Sequence, residues 1–81
     1  TPAQPLTTGE QEVFDRLRAL RRKLASSMGV PPYVVFSDAT LEELARQMPA
    51  SRSAMLEVKG IGPKKYDSFG EQFLAALSES T

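Results

Sequence analysis

The run Lys59-Gly60-Ile61-Gly62-Pro63-Lys64-Lys65 combines the ingredients of an anion site. Its glycines permit positive φ or a close backbone approach. Pro63 suits the first position of a helix, whose unpaired N–H groups and dipole face a phosphate, and Lys59, Lys64 and Lys65 add charge. Contacts of this kind grip a nucleic-acid backbone without reading its sequence. The same run is also a compact join between two helices with Ile61 plugging the core, so the turn is either a phosphate clamp or packing.

Tyr33 follows Pro31 and Pro32 in a loop, where an outward ring can stack on an unpaired base for about 1–3 kcal/mol. An inward ring would pack and bond through its hydroxyl instead. The basic run Arg16, Arg18, Arg21, Arg22 and Lys23 divides when it is placed on a wheel of about 100° per residue. Arg18 and Arg22 share one flank and are candidates for DNA contact, Arg16 and Lys23 take the other, and Arg21 falls within the apolar stripe. Glu12 with Arg16 and Asp15 with Arg18 have pairing spacing, which makes much of the run solvated helix surface. An inward guanidinium needs carboxylate or carbonyl partners, so Arg21 is expected to be structural, tying the first helix to Asp38 or to carbonyls of the loop.

Asp38, Glu42 and Glu43 cluster at a helix start. Asp38 and Glu42 have the spacing to share a divalent cation, but no second carboxylate source is placed beside them. They read as a solvated acidic face, or as a docking surface for a basic partner. With no cysteine and no histidine, the commonest nucleophile, general base and metal ligand are missing. No catalytic residue, metal site or cofactor is assigned to this chain.

The elements that must position these residues follow from periodicity and punctuation. Residues 1–9, with two prolines, read as a flexible linker, and residues 10–81 as the domain. Val13, Leu17, Leu20, Leu24 and Met28, widened by Phe14 and Ala25, predict an amphipathic helix over 10–28, closed by Gly29 and Pro31. Tyr33-Val34-Val35-Phe36 has strand composition but no strand to pair with, which predicts an irregular or single-turn connector pressed into the core. Ser37 is the preferred cap of a second helix over 38–48, carrying Leu41, Leu44, Ala45 and Met48; Thr40 with Glu43 is the alternative capping box. Ser51 caps a short helix with Met55 and Leu56. A last helix runs from Pro63 to about Ser78, with Tyr66, Phe69, Phe73, Leu74 and Leu77 inward. Gly70 within it costs about 1 kcal/mol against Ala, so its expected use is to admit a neighbouring helix or the connector. The fold class is all-α: a small orthogonal bundle of four to five helices with a short aromatic turn between the first two.

A chain of 81 residues has room for one domain. Lys and Arg total 10 and Asp and Glu total 10, with a sequence pI near 6.1, whereas nucleic-acid modules often exceed about 9. Any DNA contact is therefore local and weak. No apolar run approaches the roughly 18 residues of a membrane span and no signal peptide is recognisable, so the chain reads as soluble, intracellular and monomeric. Its first residue, Thr1, suggests a piece of a longer protein.

The central stretch Val30-Pro31-Pro32-Tyr33-Val34-Val35-Phe36-Ser37-Asp38, continued by Ala39-Thr40-Leu41-Glu42-Glu43-Leu44-Ala45, strongly resembles the signature of the helicase-and-RNase-D C-terminal (HRDC) domain. Leu17-Arg18-Ala19-Leu20-Arg21-Arg22-Lys23-Leu24-Ala25 before it, and Met48-Pro49 and Val58-Lys59-Gly60-Ile61-Gly62 after it, extend the likeness over about residues 10–78. The last turn is also similar to the helix-hairpin-helix pattern of DNA-binding proteins. The resemblance implies an accessory module of a RecQ-type DNA helicase, most like bacterial members, cytoplasmic and associated with the nucleoid; an RNase D-type parent is the alternative. It implies that ATP and Mg2+ belong to the parent's other domains. It also implies weak binding of single-stranded or branched DNA in repair and recombination, through Tyr33, Lys59, Gly60, Gly62, Lys64, Lys65, Arg18 and Arg22. The alternative is regulatory docking on the helicase core or a partner protein through Asp38, Glu42 and Glu43.

Overall fold

Thr7 opens the first helix with a capping box: its hydroxyl accepts from Glu10 N at 3.2 Å, and Glu10 Oε1 accepts from Thr7 N at 3.0 Å. Helix α1 therefore spans Thr8–Met28, and Thr8 and Gly9, expected in the linker, form its first turn. The computed structural model describes residues 5–79; the rest of the expected linker, residues 1–4, and the expected domain's end, 80–81, lie outside the described residues. Gly29 ends α1 in the left-handed region at φ 69°, where glycine carries no Cβ penalty. The buried line of α1 is Val13, Leu17, Arg21 and Ala25. Leu20 and Leu24 are half-buried, and Met28, expected inside, is 50% exposed.

The two prolines force the chain out of α1, and it re-forms as a single turn, α2, over Pro32–Val35. Val35 and Phe36 enter the core while Tyr33 and Val34 face outward. Phe36 meets Phe73 edge-on at 4.9 Å between ring centroids and Phe69 at 6.0 Å, the geometry that aromatic quadrupoles favour. The same buried core includes Leu17, Leu41, Leu44, Met55, Val58, Ile61 and Leu77.

Ser37 caps α3, Asp38–Gln47, by accepting from Thr40 N at 3.3 Å, and the alternative box at Thr40 is not used. The helix stops one residue short of the expected end, because Met48 takes a left-handed conformation at φ 45° before Pro49. Ser51 caps α4, Arg52–Leu56, by accepting from Ala54 N at 3.2 Å. The expected last helix is divided. A short α5, Pro63–Lys65, passes into a π-turn at Tyr66–Gly70 and then into α6, Glu71–Glu79. The Tyr66 ring occupies the space that a Cβ on Gly70 would fill. The close approach at Gly70 thus comes from its own helix, not from the connector, and the widened turn seats Tyr66 in the core beside Phe69. Arg52 of α4 lies over the same ring, 5.5 Å from its centroid.

Helix α1 packs against α2, α3 and α6, and α4 closes the other side against the π-turn and α6. The bundle is all-α, with no strand among the described residues. No helix among them is long and apolar enough to cross a membrane.

Candidate nucleic-acid interface

The single turn α2 ends in carbonyls that have no partner within so short a helix. Lys65 supplies one: its Nζ donates to Val34 O at 2.6 Å and Val35 O at 2.9 Å and lies 5.7 Å from the Phe36 ring centroid. The bridge ties the start of α5 to the connector. Tyr33, 71% exposed, and the exposed Lys64 are each one residue from it. Exposed Pro31 and Pro32, with Val34 at 37% exposure, adjoin the tyrosine. An outward aromatic ring with apolar surroundings and a nearby cation can take the face of an unpaired base and the phosphate next to it.

The Lys59–Lys65 turn has the features of the packed join between helices. The Lys65 ammonium is engaged by the two carbonyls. Gly60 sits at φ 95°, and a Cβ there would strike Thr40 Oγ1, which in turn donates to Lys59 O at 3.4 Å. Ile61 is 4% exposed, so the turn is packed onto α3 with its isoleucine in the core. Gly62 has an ordinary extended conformation, φ −95° and ψ 173°, and open space where a Cβ would stand. The α5 helix that follows has only Pro63–Lys65, too few peptides to build a strong dipole. Lys59 is exposed and lines a groove with Thr40, Glu42, Glu43 and Arg46. The three lysines therefore part company: Lys64 is exposed, Lys65 holds the connector, and Lys59 lines a groove of mixed charge.

Arg18 and Arg22 are both exposed on α1, and the Arg18 guanidinium lies over the Phe14 ring at 5.7 Å. The expected Glu12–Arg16 and Asp15–Arg18 pairs are not among the ion pairs of the described residues. Asp15 accepts instead from Gln11 Nε2 at 3.0 Å. Arg21 is 9% exposed; its Nη1 donates to Phe36 O at 3.0 Å and pairs with Asp38 Oδ1 at 2.8 Å.

Two of the three clustered acids are thus engaged within the domain. Asp38 holds Arg21, while Glu43 accepts from Gln47 Nε2 at 2.7 Å and lies 3.6 Å from Arg46. Glu42 is half-buried in the groove shared with Lys59. The surface is mixed in charge rather than acidic, and no cluster suited to a metal ion occurs among the described residues. Sequence reasoning missed the Lys65 bridge, which joins residues about thirty positions apart and leaves no local signal.

The family model for the HRDC domain matches residues 10–77. The chain belongs to the HRDC family. This HRDC domain is 42% identical over 76 residues to the ATP-dependent DNA helicase RecQ of Haemophilus influenzae, covering 94% of the chain and 12% of that protein. It is 43% identical over 70 residues to RecQ of Bacillus subtilis, covering 86% and 12%. The ATP-dependent DNA helicase UvrD2 of Mycobacterium bovis matches at 34% over 72 residues, covering 89% and 10%. The HRDC domain therefore spans about 12% of the length of the RecQ relatives it matches. In three dimensions it is similar to D. radiodurans RecQ HRDC domain 3, with a TM-score of 0.83 and 37% identity, covering 86% of this chain and 92% of the other.

Proposed function

We propose that this HRDC domain is a non-catalytic accessory module through which a RecQ-type DNA helicase engages single-stranded or branched DNA in repair and recombination. The exposed Tyr33 ring, on a connector that Lys65 fixes to the helix start carrying the exposed Lys64, supports this reading. A base stacks on the ring, and the lysine meets the adjoining phosphate, with Arg18 and Arg22 extending the charge along α1. In this reading ATP and Mg2+ serve the helicase core and none is held here. The relatives bear the words "ATP-dependent DNA helicase", which suits a parent of that kind.

Titration of the domain with a short oligothymidylate, followed by NMR, tests the reading. Amide shifts are expected at residues 31–36 and 62–65, and Tyr33→Ala should weaken binding about fivefold or more, the loss of stacking on one base. An absence of shifts at low salt would defeat it. Regulatory docking through Asp38, Glu42 and Glu43 is the other reading, and the engagement of Asp38 and Glu43 within the domain weighs against it. That alternative gains if DNA leaves the spectrum unchanged while deletion of the domain alters the helicase's ATPase.

A further inference from the structure

We infer that Lys65 is a positioning residue: it acts on the ligand through Tyr33, by clamping the connector, rather than by touching phosphate. The inference rests on the DNA-binding reading above. Three observations carry it. The α2 turn has four residues, too short to hold itself, since the first helical turn fixes several dihedrals for one hydrogen bond. Lys65 Nζ fastens the far end at 2.6 and 2.9 Å, while its charge lies over the buried Phe36 ring. The neighbouring residue on the connector, Tyr33, makes no such tie and is displayed to solvent. Removal of the clamp frees the turn, and an aromatic ring that must first be ordered binds more weakly than one already in place.

The test compares Lys65→Met, which keeps the apolar stem, with Lys64→Ala, Tyr33→Ala and the double variant Tyr33→Ala/Lys65→Met. Oligothymidylate affinity is measured from low to moderate salt, and Cα chemical shifts of residues 32–35 are recorded without DNA. Lys64→Ala should reduce the salt slope by about 0.7, the value for one single-strand phosphate contact, and leave the connector shifts alone. Lys65→Met should weaken binding by about threefold to fivefold, up to the stacking of one base, with an unchanged slope. It should move the connector shifts toward random coil and add nothing in the Tyr33→Ala background. Lys65→Arg, which retains donors for both carbonyls, should keep the shifts close to wild type. A slope reduced as in Lys64→Ala, or additive losses in the double variant, would make Lys65 a direct phosphate ligand and overturn the inference while leaving DNA binding intact. Native connector shifts in Lys65→Met would overturn it without any DNA present. No binding by any form would defeat the DNA reading, and the shifts would still decide whether Lys65 holds the turn.

Discussion

Arg21 carries its charge into the core, where a guanidinium without partners would not be tolerated. One nitrogen, Nη1, serves both Phe36 O and Asp38 Oδ1, and the buried Nε has no partner. The Asp38 carboxylate is 72% exposed, so the ion pair itself contributes little in water. The bond to the Phe36 carbonyl matters more, because an unpaired buried acceptor costs about 1–3 kcal/mol. Arg21→Met relieves the unpaired Nε but strands that carbonyl. The melting temperature should fall by about 5–10 °C in a domain of this size, with DNA affinity within about twofold of wild type. An unchanged melting temperature in calorimetry would remove Arg21 from the structural role.

At the level of elements, the π-turn at Tyr66–Gly70 is where intrinsic preference and packing oppose each other. Ala is favoured over Gly inside a helix by about 1 kcal/mol, so a plain α-helix would gain from Gly70→Ala. Here the new Cβ meets several atoms of the Tyr66 ring, which is itself buried and covered by Arg52. The ring belongs to the same buried core as Phe36 and Phe69, and overpacking of this kind costs about 1–3 kcal/mol. Gly70→Ala is therefore expected to lower the denaturation midpoint in urea by a clear margin. A midpoint that rose would mean that Tyr66 yields easily and that the wide turn is incidental. The Gly60–Thr40 contact repeats the logic at the other turn, where positive φ and the lack of a Cβ are needed together.

For the molecule as a whole, 10 basic and 10 acidic residues cancel, and Lys65, Arg21, Asp38 and Glu43 are engaged within the domain. Of the exposed cations Arg16, Arg18, Arg22, Lys23, Lys59 and Lys64, the DNA-binding reading uses Lys64, with Arg18 and Arg22. One to three such contacts predict a slope of log affinity against log salt of about −0.7 to −2 for single-stranded DNA. A slope steeper than about −3 in fluorescence anisotropy would mean that more cations than Lys64, Arg18 and Arg22 meet phosphates. The binding is therefore expected to lean on stacking and to act as an auxiliary hold.

The amphipathic lines of α1 and α3, the caps at Ser37 and Ser51, and the break at Pro31 and Pro32 were legible in the chain because each is fixed by neighbours within about a turn. The same locality exposed the HRDC resemblance and the inward position of Arg21. The capping box at Thr7 and Glu10 was legible in the same way and went unread. Tertiary contacts alone decided that Lys65 reaches Val34 and Val35, that Gly60 abuts Thr40, and that Asp15 and Arg18 stay apart. They also decided which way Tyr33 turns. Periodicity says which face a residue occupies, whereas the partner of a charge or the aim of a loop ring depends on what distant segments bring beside it.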